Sequence, residues 1–515
     1  ASGEVRKNRI LIFLLLQNIL LLSSTFFRNN LFTLCHLIYT DTFYMKRKWI
    51  RWVSWILLTP IILFVILMVL LYVPPVQNLL RREVTAYASK ATGMQIQVER
   101  IDLRFPLNLL VRGVEVIQQP DTLLSLESLN VRVQAWPLIK GKVEVDEVTL
   151  SRVAVNSADL MEGMKIKGVL GRFFLQSHGV DLSNELAVIN QVELSDTHMQ
   201  LLMNDTTTTP KDTTASAPIN WKVALHQLKL KNVSFSMQLP ADSMRMTAHI
   251  GEAAINDAQA DLKNQYYDLK KFLLLGTSAS YDTGTAQPTE GFDASHIAVR
   301  DIRIALDSLL YKGRDMNAVI REFTMNERSG LSVTALTGRA YSNDSVICVP
   351  SLKLNTPHSE IDLSAHTYWE LVNIPTTGRL SARLNAYIGK EDVMLFAGGL
   401  PESFKEAYPF RPLVIRAGTD GNLKEMQISR FTVDLPGAFA LEGGGLLENL
   451  TDSLTRTGTI GLKMTTQNLN FLTALSGEAP NGTLVIPDSM NLVAKVDIKG
   501  PEYKANLRLK EGQGA

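Results

Sequence analysis

Val143–Val155 (VEVDEVTLSRVAV) alternates apolar and polar residues as a half-buried strand does, then skips a beat. Val143 and Val145 are two apart, and so are Val148 and Leu150, but three positions separate the pairs. The same apolar-x-apolar-x-x-apolar-x-apolar pattern, with polar residues at every x, begins at Ile96, Leu124, Leu228 and Met426. Admitting Ala or Cys at x adds Val148, Val223, Ile297 and Ile347. In a flat strand the odd step sends the second pair to the other face. A bulge at that step, for instance at Asp146 and Glu147, returns it to the first face and bends the strand. The alternative is a row of ordinary hairpins whose turns fall at the odd steps. Either way the chain is all-β beyond about residue 95, because long helical periodicity is scarce there.

Before the strands the pattern changes. Val53–Val73 carries no charge and, as a helix, reaches across about 30 Å of hydrocarbon. The expected transmembrane anchor is therefore residues 45–73. It includes Val53, Pro60 and Val73, with Trp55 at the interface and Lys46, Arg47, Lys48 and Arg51 preceding it. By the positive-inside rule the N-terminus is cytoplasmic and everything after Val73 lies outside the cytoplasm. Residues 1–44 read as an upstream or non-native segment, with Met45 the natural start. Pro74 and Pro75 stop the anchor, and Gln77–Gly93 (QNLLRREVTAYASKATG) predicts a short amphipathic helix over 77–92 closed by Gly93.

Further along, Asn204–Pro218 (NDTTTTPKDTTASAP) is too polar to bury a core and predicts a solvated loop. It divides a first β region, 74–203, from a second, 219–515; a second polar loop is expected at 281–292. The final apolar run, Leu507–Leu509, suggests that strands continue past residue 515.

Composition changes the picture mainly by exclusion. With 52 basic and 51 acidic residues, a net charge of +1, no global field steers the 515-residue chain to nucleic acid. Two cysteines, Cys35 and Cys348, form no framework, and Cys348 reads as a small apolar strand residue. The eight histidines show no zinc spacing, so neither a metal nor a cofactor is expected. Ser177 and His178 are adjacent loop residues rather than parts of a triad, and Gly443–Gly445 reads as a turn. No catalytic residue is assigned and an enzyme is not expected.

A basic start, one apolar span, Ala88–Gly93 (ASKATG) and Ile96–Val116 (IQVERIDLRFPLNLLVRGVEV) resemble the N-terminus of AsmA-like proteins. Ile166–Leu175 (IKGVLGRFFL), Gly179–Leu182 (GVDL) and Leu352–Leu363 (LKLNTPHSEIDL) resemble the TamB branch, of the Bacteroidetes type. The resemblance implies an inner-membrane-anchored, single-pass periplasmic protein. Its curled, antiparallel-type β-sheet would form an elongated hydrophobic groove that carries phospholipid toward the outer membrane. Ile96, Val98, Ile101, Leu103, Val143, Val145, Val148, Leu150, Val153, Val155, Leu228, Leu230, Val233 and Phe235 are the expected lining. Burying a sixteen-carbon acyl chain there would contribute roughly 12 kcal/mol. An Omp85-type outer-membrane barrel would be a partner through a C-terminal region missing from this chain. A scaffold for outer-membrane protein assembly is the second expectation, and a surface adhesin or stalk the third.

Overall fold

The structure is a computed structural model. It describes residues 72–511 apart from 105–106, 119–120, 135–143, 158–162, 182–184, 204–219 and 477–488, together with scattered positions between 54 and 69. The expected segment 1–44, Lys46, Arg47, Lys48, Arg51, Val53, Pro60, Val143 and the Thr-rich loop lie outside the described residues. The chain divides into two compact units, 1–156 with 172–184, and 157–171 with 185–515.

The expected membrane anchor is corrected first. Among the described residues no helix is long and apolar enough to cross a membrane. The first continuously described helix is α1 (Pro74–Thr92), which follows Val73 and carries Arg81, Arg82, Glu83 and Lys90. Those four charges bar it from hydrocarbon. Of the expected anchor, Trp55 is described and largely exposed. The single-pass inner-membrane placement, with N-terminus inside and bulk in the periplasm, falls with that anchor.

The first unit is an amphipathic helix set on a sheet edge. Pro74 and Pro75 suit the first helical turn, where their missing N–H groups have no intrahelical acceptor. Gly93 ends the helix at φ 71°, a left-handed conformation that suits glycine. The strands are β1 (Gln95–Arg104), β2 (Asn108–Gln118), β3 (Asp121–Val133) and β4 (Val145–Asn156), each antiparallel to the next. α1 satisfies the free edge of β1. Gln77 Nε2 donates to Leu103 O at 3.0 Å, Arg81 donates to Glu99 O, and Ser89 Oγ accepts from Ile96 N at 3.0 Å. An uncovered edge would invite further strand pairing, and the helix occupies it instead. A further strand, β5 (Met164–Asp181), contributes residues 172–181 to this unit and 164–171 to the second.

The odd steps of β1 to β4 fall in one line. Ile101, Val111, Leu129 and Leu150 are successive cross-strand partners, and so are Val98, Val114, Leu126 and Val153. Between the two rows lie Glu99–Arg100, Arg112–Gly113, Glu127–Ser128 and Ser151–Arg152. Gly113 and Arg152 take φ values of 59° and 47° in mid-strand, and Arg152 is ion-paired with Glu127 across the line. At Asp146 the register of β4 against β3 shifts by one residue, a bulge that keeps Val145 opposite Val133 while Val148 stays opposite Val131. The odd step is thus a re-phasing device and not a hairpin turn.

The second unit holds β6 (Leu186–Met203), β7 (Lys222–Leu239), β8 (Met244–Asp261), β9 (Tyr266–Asp282), β10 (His296–Lys312) and β11 (Asp315–Glu327). After them come the two-residue β12 (Ser332–Val333), then β13 (Ala335–Ser342), β14 (Val346–Asn355), β15 (Glu360–Tyr368), β16 (Leu380–Ile388) and β17 (Leu413–Gly421). The last are β18 (Glu425–Leu435), β19 (Phe439–Glu448), β20 (Thr457–Thr466), β21 (Met490–Lys499) and β22 (Glu502–Glu511). Short helices α2 (Trp369–Asn373), α3 (Lys390–Leu395), α4 (Glu402–Ala407) and α5 (Asn470–Thr473) interrupt the succession. All described pairings are antiparallel except β6 with β7, which is parallel. Parallel neighbours need a connection of about a dozen residues or more, and 18 positions separate Met203 from Lys222 in the sequence.

The antiparallel-type, all-β character is therefore present, but the expected curled sheet is not: among the described residues the sheet neither closes nor curls into a hydrophobic groove. Among the described residues β22 pairs with β21 and no register returns it to an earlier strand. The physical reason is that bulges re-phase side chains, whereas closure needs a common strand tilt and shear that a bulge does not impose. Two local expectations also change. Gly443–Gly445 is not a turn but the middle of β19, where a side chain on Gly443 would meet the Phe431 ring at 2.6 Å. Ser177 and His178 belong to β5 rather than to a loop, with Ser177 buried and its hydroxyl donating to Val145 O.

Candidate binding face

Directly opposed residues in a ladder share a face of the sheet. Following the registers of the second unit from strand to strand yields one unbroken row. It runs Val192, Leu228, Ile255, Phe272, Leu306 and Ile320, then Gly338, Leu352, Leu363, Leu384 and Ala417, and ends Phe431, Gly443, Leu462, Ala494 and Leu507. It crosses every strand from β6 to β22 save β12 and contains no polar side chain. Its two glycines, Gly338 and Gly443, are places where a Cβ would strike a neighbouring strand or ring.

The flanking rows keep to this face through left-handed residues at the odd steps. Asp196, Asn232, Asp257, Asp301 and Gly276 all have φ between 51° and 58° within strands. Asn, Asp and Gly are the residues that enter this region at least cost. In β7 the turn at Asn232 (φ 54°) separates Leu228 and Leu230 from Val233 and Phe235, which are paired with Ile250 and Ala248. Asn232 Nδ2 donates to Asp196 Oδ1 at 2.7 Å, tying the turns of adjacent strands together.

The expected lining residues thus fall on apolar rows, in two separate units. Ile96, Val98, Ile101 and Leu103 face Val116, Val114, Val111 and Leu109. Val145, Val148, Leu150, Val153 and Val155 face Val133, Val131, Leu129, Leu126 and Leu124. Leu228, Leu230, Val233 and Phe235 join the second unit's rows. Ile101 is buried among them, whereas Val155 and Phe235 are exposed.

One margin of that face is covered from within the chain. Leu435 is 1% exposed and packs with Phe404, Tyr408, Ala438, Leu469 and Phe471. Leu413, Phe439 and Met490, which share the face of the central row by even spacing from Ala417, Gly443 and Ala494, pack against the same cluster. The rings of Phe404, Tyr408 and Phe471 stand 5.6–5.9 Å apart. Elsewhere the face is open: Met199, Phe235, Tyr267, Leu309 and Tyr311 are each 40% exposed or more.

The polar groups organise turns. Asp392, buried in α3, accepts from Thr356 Oγ1 and Ser359 Oγ and pins that helix to the β14–β15 turn. Asp293 accepts from Thr289 N at 3.0 Å, His296 Nδ1 at 2.9 Å and Ser295 N at 2.9 Å, and these hold its carboxyl well below the usual carboxylate range. A depressed carboxylate contributes stability above its unfolded pKa and loses it as pH falls through the folded value. The 283–295 loop should therefore keep its Thr289 and Ser295 amides protected through the ordinary carboxylate range and release them only in stronger acid. Asp293→Asn should remove that pH dependence in hydrogen exchange.

Ser234 Oγ lies 2.9 Å from His249 Nδ1, and His226 Nδ1 lies 3.2 Å from Asp257 Oδ1. They are separate exposed pairs, and among the described residues no hydrogen bond joins them into a relay. Among those residues, too, no group of three or more His, Cys, Asp or Glu could hold a metal. Cys348 is a buried free thiol within β14.

Sequence reasoning missed the cap and the parallel pair. Phe404 and Tyr408, four apart beside acidic residues, were the available signal for the first. No protein-family model matches the chain, and no curated protein is similar to it. The readings that required an anchor and a groove, namely phospholipid transport, outer-membrane assembly, and acyl-chain, inner-membrane or outer-membrane-barrel partners, are set aside with those features.

Proposed function

We propose that this protein is a non-enzymatic binding scaffold whose working surface is the apolar face of the second unit. The observation that supports this is the row from Val192 to Leu507, apolar on every strand it crosses, half-buried over β6–β11 and flanked there by the exposed Met199, Phe235, Tyr267, Leu309 and Tyr311. At about 4.8 Å per strand it runs roughly 70 Å along the sheet. Monomeric proteins rarely leave apolar patches beyond a few hundred Å² to water, and those that do use them as contact surfaces. The residues Ala88–Gly93 and Ile96–Val116, which build the end of α1 and β1–β2, further support placing the chain among AsmA-like proteins, as our own assignment.

Titration of the full chain with an apolar fluorescent probe tests the reading. Phe235→Asp with Tyr311→Asp should cut the bound signal several-fold with an unchanged far-ultraviolet circular dichroism spectrum, and Lys229→Asp on the other face should leave it as it was. Equal signal from all three proteins would refute the proposal.

A further inference from the structure

We infer that the polar face of β16–β18 binds a phosphate-type oxyanion through Arg383, Arg416 and Arg430, which surround Gly418. The site lies on the sheet face opposite to the apolar row and stands independently of the scaffold reading. Arg383 on β16 and Arg430 on β18 are the direct cross-strand partners of Gly418 on β17, one from each side. Opposed residues share a face, as do residues two apart on one strand, so Arg416 belongs to the same group. Ala417, between Arg416 and Gly418, falls on the apolar row. All three arginines are exposed. With neighbouring strands about 4.8 Å apart, Arg383 and Arg430 start about 10 Å from each other, and glycine puts no side chain between them. A Cβ on Gly418 would meet Ser429 Oγ at 2.9 Å, and that hydroxyl, which donates to Gly418 O at 3.0 Å, is the fourth polar group there.

The nearby carboxylates leave this group unbalanced. Asp362 lies 4.0 Å from Lys353, Asp420 is paired with Arg379, and Glu442 with Arg430 at 2.9 Å. Among the described residues Arg383 and Arg416 have no carboxylate partner, and Arg416 donates instead to Tyr387 Oη at 2.9 Å. Like charges held side by side on a sheet repel, and an anion above Gly418 turns that repulsion into attraction. Each guanidinium presents a planar fork of donors that matches a pair of oxygens on phosphate or sulfate. Three forks arriving from three directions need more than the two oxygens of a carboxylate, so a tetrahedral oxyanion is the fitting ligand. The contacts that Arg416 and Arg430 now make are exposed, the kind that are weak and readily exchanged for a stronger partner.

Isothermal titration calorimetry on the full chain at fixed ionic strength tests the site, with inorganic phosphate and phenyl phosphate as probes and acetate as the reference. Saturable binding of one phosphate per chain, absent with acetate, is expected. Arg383→Gln should weaken it by about tenfold, and Arg383→Gln with Arg416→Gln should abolish it, each with an unchanged far-ultraviolet circular dichroism spectrum. Arg383→Lys keeps the charge but not the fork and should fall between the first variant and the parent chain. Lys229→Gln, on the same polar face but away from β16–β18, should bind as the parent does. Tighter binding of phenyl phosphate identifies an esterified phosphate as the ligand, and tighter binding of inorganic phosphate the free ion. Absence of saturable phosphate binding overturns the inference, and so does binding that Arg383→Gln leaves unchanged or that Lys229→Gln weakens equally.

Discussion

Leu435→Ala should cost the second unit about 3 kcal/mol, within the lower half of the range for removing a fully buried leucine where neighbours close in only partly. Leu435 is 1% exposed at the end of β18, packed with Phe404, Tyr408 and Phe471. The loss should concentrate in the cap, because α4 and α5 are too short to persist without tertiary packing. Amide exchange across 402–408 and 469–476 is therefore expected to accelerate by about two orders of magnitude, as 1.4 kcal/mol corresponds to tenfold. Phe410, 84% exposed on the same segment, is the control, and its replacement by alanine should change stability by no more than about 0.5 kcal/mol.

The second large effect belongs to the odd steps. Asn232→Val should destabilise by about 2 kcal/mol, since a left-handed conformation costs an L-residue roughly 1–2 kcal/mol and a β-branched side chain sits at the upper end. The substitution also removes the 2.7 Å hydrogen bond to Asp196. Asn232→Gly loses the same hydrogen bond but relieves φ 54°, so it should cost well under half as much. Denaturant unfolding of the two variants separates conformational strain from the lost contact. Equal costs would mean that the left-handed turn is not what asparagine supplies.

These two sites show what could be read before the fold and what could not. Alternation in Val143–Val155 and Leu228–Phe235 displays strand periodicity and the odd step directly, because both are properties of consecutive residues. The bulge proposed at Asp146 and Glu147 lies where the register of β4 shifts. The left-handed residues had a signal too: Gly113, Asp196, Asn232, Asp257, Gly276 and Asp301 each sit at an odd step and are Gly, Asp or Asn. Arg152 had none, and its φ of 47° is set by neighbours in the sheet.

Whether a sheet closes is a different kind of property. It depends on tilt and shear summed over many strands, which no local pattern encodes, so the curled groove was an extrapolation from faces to shape. The cap depends on pairs such as Phe404 with Leu435 and Phe471, which are distant in sequence and carry no mutual period. The glycines of Gly443–Gly445 look like turn residues, yet they lie mid-strand, where a Cβ on Gly443 would meet the Phe431 ring and one on Gly445 the Thr459 carbonyl. The apolar span Val53–Val73 remains a feature of the sequence, but the structure builds no spanning helix from it among the described residues.

Methyl–methyl nuclear Overhauser effects across the odd steps measure the re-phasing most directly. With the face continuous, Leu230 and Val233 methyls, and likewise those of Leu150 and Val153, should show mutual contacts, with none from Val233 to the Lys231 side chain or from Val153 to that of Ser151. Contacts from Val233 to Lys231, or from Val153 to Ser151, would put the apolar pairs on opposite surfaces and contradict the account.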